Sequence, residues 1–113
     1  MNDNRRTQWL RGVLDLCVLS ALGGGEMYGY ELAQFLDRAG LGKIKGGTLY
    51  PILARLEKAE LVDSDWRVGE QGPGRKYYSL TTDGRRYMEQ QNASWHEFSE
   101  LMRRLLQPKA GDQ

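Results

Sequence analysis

Residues 47–80 read GTLYPILARLEKAELVDSDWRVGEQGPGRKYYSL, and three periods follow one another in this stretch. Leu49, Ile52, Leu53 and Leu56 recur at steps of three and four, the spacing of one face of an α-helix. Pro51 near its start marks a helix that has not yet claimed its N–H groups. Thr48 is a credible N-cap, and the helix is expected to end near Lys58-Ala59. Residues 61–68 then roughly alternate apolar and polar, and Gly69-Glu70-Gln71-Gly72-Pro73-Gly74 reads as a turn. Arg75-Lys76-Tyr77-Tyr78-Ser79-Leu80 is rich in β-formers. Strand, Gly/Pro-rich turn and strand predict a β-hairpin with a protruding tip.

Upstream, Leu10, Val13, Leu14, Cys17, Val18 and Ala21 fall on one face of a helix over about Thr7–Leu22, stopped by Gly23-Gly24-Gly25. A second helix is expected from about Tyr28 to Arg38, ended by Gly40 and Gly42. Leu32, Leu36 and Phe35 are its candidate inward residues. Downstream, Thr81 or Thr82 caps a last helix with Asp83 in its first turn, running to about Gln107 and stopped by Pro108. Tyr87, Met88, Trp95, Phe98, Met102 and Leu105 form a stripe along it. The fold class is α+β, mostly α. It is a winged helix-turn-helix over residues 7–81, then one long dimerisation helix over 82–107 and a disordered tail over 108–113.

Composition limits the function without choosing it. The 113 residues suffice for one domain, 27% are charged, and the formal net charge is +1. Between Lys43 and Arg86 nine basic residues face six acidic ones, +3, which leaves −2 for the rest. Charge alone therefore favours nucleic acid only mildly. Cys17 is the only cysteine, so no intramolecular disulfide is possible and nothing points to an oxidising compartment. Cys17 reads as a small hydrophobe. No apolar run reaches the roughly 18 residues of a membrane span, and the N-terminus lacks the pattern of a signal peptide. A cytoplasmic location is expected. His96 has no second His or Cys at metal-ligand spacing, so no metal site and no cofactor are expected. No phosphate loop, nucleophile elbow or carboxylate pair points to an enzyme.

Ordered blocks of the sequence resemble the PadR-type transcriptional regulators. They are Leu16-Cys17-Val18-Leu19, Tyr28-Gly29-Tyr30-Glu31-Leu32, Gly47-Thr48-Leu49-Tyr50-Pro51-Ile52-Leu53 with Arg55-Leu56-Glu57, and Gly74-Arg75-Lys76-Tyr77-Tyr78-Ser79-Leu80-Thr81 with Gly84. Together they cover roughly residues 10 to 85. The single long C-terminal helix resembles the short subgroup of that family. The resemblance implies a homodimeric repressor that applies the third helix and the wing to operator DNA, with small-molecule release in some members. It also implies a flat aromatic effector in one branch, held against a tryptophan whose place Trp95 takes.

On that reading the candidate DNA contacts are Tyr30, Thr48, Tyr50, Arg55, Gly74, Arg75 and Lys76. Bland alternatives stand beside several of them. Thr48 serves equally as a cap, Arg55 as a partner to a surface carboxylate, and Tyr50 as packing on the second helix. Trp9, Trp95, Phe98, Met102 and Leu105 are the candidate dimer or ligand residues, either as interface packing alone or as packing plus ligand contact. Trp66 is expected in the domain core. A winged-helix module that binds protein in place of DNA is the alternative function.

Overall fold

A computed structural model describes residues 3–69 and 72–108. The elements run α1 (Asp3–Leu22), β1 (Met27–Tyr28), α2 (Gly29–Leu36), a widened helical turn (Asp37–Leu41), α3 (Gly46–Lys58), β2 (Val62–Arg67), β3 (Arg75–Leu80) and α4 (Thr82–Leu106). The fold is a winged helix: three helices around a small antiparallel sheet, with a fourth helix running out of it. The expected tail beyond Pro108 lies outside the described residues.

The core is the set of apolar stripes read from the periodicity. Leu14, Val18, Leu22, Leu32, Leu36, Leu49, Leu53 and Leu56 bury their side chains together, closed by Val62, Tyr78 and Met88. The first helix starts upstream of the expected Thr7, because Asn4, Arg5 and Arg6 contain nothing that breaks a helix. The Gly23 N–H closes α1 on the Leu19 and Ser20 carbonyls.

Four local expectations are corrected. Phe35 is exposed. The buried stripe of α2 is Gly29, Leu32 and Leu36 with half-buried Ala33 beside it, and Phe35 lies roughly a third of a turn round from its centre. Thr48 is not the N-cap of α3. The helix begins at Gly46, Lys45 occupies the cap position with no side-chain cap, and the Thr48 N–H itself donates to the Lys45 carbonyl at 2.9 Å. Two glycines with no side chain to compete for their backbone let the helix extend upstream of the threonine. Pro51 accordingly sits inside the helix, beyond its first turn.

The sheet has three strands, not two, in the order β1-β3-β2. Met27 pairs with Tyr78 and Tyr28 with Tyr77. A two-residue strand is too short to show an alternation. Trp66, finally, is 69% exposed. It shares a strand face with buried Val62 and half-buried Ser64, but the hairpin projects past the edge of the body, so a face that is core at Val62 is open at Trp66.

α4 is anchored most firmly at its start, and its middle turns lie partly against α1. Thr81 is the cap: its Oγ accepts from the Gly84 N–H at 2.8 Å and donates to the Glu60 carbonyl at 2.8 Å. The Thr81 N–H donates to the Leu61 carbonyl at 3.1 Å. Gly84 lies so close to that carbonyl that a Cβ would collide with it. Only Gly84 and Met88 of α4 are buried. The molecule is therefore elongated, 66 × 32 × 20 Å with a radius of gyration of 17.0 Å, against about 13 Å for a compact chain of this length.

Candidate nucleic-acid interface

α3 buries Leu49, Ile52, Leu53 and Leu56 and turns Gly46, Gly47, Pro51 and Ala54 outward. At 100° per residue Gly47, Pro51 and Ala54 form the crest of the exposed face, with Lys58 in line at its C-terminal end and Gly46 falling beside Tyr50. Tyr50 flanks the crest on one side, and Thr48 with Arg55 on the other. Up to Ala54 the crest carries no long side chain, which lets the first turns of the helix bring their backbone close to a partner. The flanking side chains then reach past it.

On the Tyr50 side lies a groove of about 590 Å³ between the N-terminus of α2, α3 and the hairpin. Tyr28, Gly29, Tyr30, Tyr50, Trp66, Gly74, Arg75, Lys76 and Tyr78 line it. Five of the seven candidate contacts thus converge: Tyr30, Tyr50, Gly74, Arg75 and Lys76. Tyr50 is 48% exposed, and its phenol lies across Gly29, where a Cβ would occupy the place of the ring. Gly29 is therefore the floor that sets the height of Tyr50. Gly74 is half-buried, and a Cβ there would come within 3.1 Å of the Arg67 carbonyl, so its first duty is to let the two wing strands close.

The wing cations lie back from the turn. The Arg75 guanidinium sits 4.5 Å from the centre of the Tyr28 ring. The Lys76 ammonium is 3.6 Å from a Glu57 carboxylate oxygen and 5.7 Å from the centre of the Tyr78 ring. Ser64 donates to the same Glu57 carboxylate at 2.5 Å. Burial raises the Tyr78 phenol above its usual range, with the Glu57 charge adding to it. Thr48 and Arg55 lie outside this groove, and Arg55 makes no ion pair with a described residue.

Sequence reasoning missed Arg67. Its guanidinium grips the Glu26 carboxylate through both Nη atoms, with Nη2–Oε1 at 2.7 Å, and its Nε donates to Asp65 at 3.2 Å. It lies 4.4 Å from the centre of the Tyr77 ring. The Arg67 hydrogen bonds hold the Glu26 carboxyl below its usual range. Glu26 and Arg67 are 41 residues apart, and no local pattern links them.

The other candidate residues sit on the far side of the molecule. Trp95 is 41% exposed, with its ring 6.0 Å from that of Phe98. Both line a groove of about 280 Å³ between α1 and α4, with Gly12, Leu16, Leu19 and Tyr87 among its walls. Met102 is half-buried further along α4, Leu105 is 62% exposed, and Trp9 is exposed on α1; none of the three lines that groove. Cys17 is half-buried, and burial pushes its thiol up, so it stays protonated at neutral pH. No helix among the described residues is long and apolar enough to cross a membrane.

Fold and groove define a winged helix-turn-helix protein with an aromatic, cationic cleft beside its third helix. The family model of the PadR-like transcriptional regulators matches residues 18–90. A transcriptional regulator of Mycobacterium tuberculosis is 33% identical over 92 residues, 81% of this chain and 84% of that one. The PadR-like regulator of Bacillus cereus superposes with a TM-score of 0.81 at 36% identity, covering 90% of this chain and 99% of that chain. The PadR-family regulator of Eggerthella lenta superposes with a TM-score of 0.86 at 34% identity, covering 95% and 93%. The chain belongs to the PadR-like family of transcriptional regulators.

Proposed function

We propose that the protein is a cytoplasmic, homodimeric repressor that binds an inverted-repeat DNA operator. The observation that carries this reading is the convergence of Tyr30, Tyr50, Arg75 and Lys76 on one groove beside the small-residue crest of the first turns of α3. The crest fits a major groove, where Pro51 and Ala54 offer apolar contact to thymine methyl groups and Tyr50 and Thr48 reach for base edges. Tyr30, in the first turn of α2, faces one phosphate strand, and Arg75 and Lys76 face the neighbouring one. Residues 7–81 form the DNA-binding unit and 82–107 the dimerisation helix.

Duplexes selected from random-sequence DNA by the chain test this. Tyr50→Ala is expected to lose specific binding while keeping nonspecific binding. Arg75→Ala is expected to weaken both and to lower the salt slope by about one. Retained specificity in Tyr50→Ala, or an unchanged slope in Arg75→Ala, removes the groove from the DNA contact.

An effector site belongs to the same reading. Two copies of α4 meeting near Trp95 frame a slot for a planar aromatic molecule, with Phe98 and the adaptable Met102 as walls. Planar aromatic dyes should quench tryptophan fluorescence saturably in the native protein and not in Trp95→Ala. Quenching that persists in the variant excludes the slot.

A further inference from the structure

We infer that the protein holds DNA from both sides of α3, through a second phosphate-binding surface opposite the wing where the outer turns of α1 meet the α2–α3 connection. The inference rests on the DNA-binding reading above and adds residues that reading does not use.

Two confluent grooves form this surface. One, of about 720 Å³, runs between Arg6 on α1 and the connection carrying Lys43 and Lys45. The other, of about 280 Å³, runs between Arg11 on α1 and Arg55 on α3. They share Thr7, Leu10, Leu14 and Thr48 as walls. Five cations therefore ring one region, and no carboxylate among the described residues lines either groove. None of the five makes an ion pair with a described residue. Of the other described cations, Arg67, Lys76, Arg86, Arg103 and Arg104 each have a carboxylate within 4.0 Å, and Arg5, Arg38, Lys58, Arg75 and Arg85 make no ion pair with a described residue, so what sets this region apart is the gathering of five such cations on two joined grooves.

In a chain of net charge +1, five cations without an ion partner among the described residues, with Asp37 in the adjoining groove as the nearby carboxylate, are a segregation of charge that repels itself unless an anion covers it. The anion the position selects is a nucleic-acid strand. Thr48 stands on the rim of both grooves and in the first turn of α3, so the surface is continuous with the crest proposed to enter the major groove. No side chain caps α3 at this end, so its amide dipoles add to the positive field. Arg6 is exposed and held in place, because one of its Nη atoms donates to the Gly40 carbonyl at 2.6 Å. A regular row of phosphates can meet cations along the whole path from Lys45 to Arg11.

The test uses the full chain, the duplex it selects from random-sequence DNA and a random duplex of the same length. Arg6→Gln with Arg11→Gln, and separately Lys43→Gln with Lys45→Gln, are each expected to lower the log–log salt slope by roughly two. Affinity should fall roughly sixtyfold at 0.1 M salt and little near 1 M, with sequence preference unchanged. Hydroxyl-radical footprints should shorten on one flank of the half-site in these variants and on the opposite flank in Arg75→Gln. Wild-type slopes and footprints in the lysine pair, whose melting is expected to be unaltered, overturn the inference. That pair decides the matter if Arg6→Gln disturbs the Gly40 turn. Failure of the wild-type chain to bind any duplex would overturn the DNA reading itself, a different result from wild-type binding that both pairs leave untouched.

Discussion

Gly29 and Gly84 both lack room for a methyl group, but the obstacles differ. At Gly29 the obstacle is the phenol of Tyr50, the end of a side chain that can rotate away. At Gly84 it is the Leu61 main-chain carbonyl, which cannot move without taking the α3–β2 corner with it. Gly29→Ala is therefore expected to fold with stability within about 1 kcal/mol of the parent, because Tyr50 swings out. It should bind operator as poorly as Tyr50→Ala, since the ring no longer lies at its set height. Gly84→Ala is expected to cost about 1–3 kcal/mol, the range for forcing extra volume into a packed site. Denaturant unfolding and a gel-shift titration of both variants separate the two roles. Equal stability losses would mean that the Gly29 site is as rigid as the Gly84 site.

The wing carries a charge conflict that its neighbours resolve. Arg67 and Arg75 stand directly opposite each other on β2 and β3, an arrangement that destabilises a strand pair when both charges are bare. Each is drawn to its own partner instead. Arg67 lies over Tyr77 and holds Glu26 and Asp65, while Arg75 lies over Tyr28. The two tyrosines meet edge to face with centroids 5.4 Å apart, which ties β3 to β1. Glu26→Gln should loosen the wing with little loss of global stability, because the ion pair is solvent-exposed. The pH dependence has a definite sign. The Glu26 carboxyl is held below its usual range in the fold, so its contribution is complete above the ordinary glutamate range and is lost as pH falls through the depressed value. Wing amide resonances should therefore hold steady through the ordinary glutamate range and shift only below it. The same step appearing in Glu26→Gln would assign it to another group.

At the scale of the whole molecule, α4 is longer than its own domain can cover. Beyond Met88 none of its residues is buried. Trp95, Phe98, Leu101 and Leu105 are exposed along one side, while Glu100 pairs with Arg103 at 2.6 Å and with Arg104 at 3.8 Å on the other. An isolated amphipathic stretch of this length is marginal in water, so its stability must come from packing against something. A second copy related by a two-fold axis supplies the matching stripe. Phe98→Asp combined with Leu105→Asp is expected to give a monomer that no longer binds operator tightly. Light scattering of parent and variant measures this, and a parent that is monomeric at micromolar concentration would sink the dimer.

What the sequence determined by itself is what neighbours along the chain encode. Steps of three and four placed the buried faces of α1, α3 and the start of α4. Alternation and the Gly/Pro-rich turn placed the β2–β3 hairpin, and a threonine cap was legible at 81 or 82, between which the structure chose Thr81. The ordered blocks around Tyr28, Gly47 and Gly74 pointed to the family to which the chain belongs. Tertiary structure decided what depends on where one element stops relative to another. Trp66 is open because the hairpin outruns the core, and β1 exists because β3 offers Met27 and Tyr28 an edge. Tyr50 has its height from Gly29 on a different helix, and Arg67 finds Glu26 across 41 residues. Periodicity is a property of one segment and survives in a string of letters. Exposure and charge pairing are properties of two segments brought together, and only the packed chain has them.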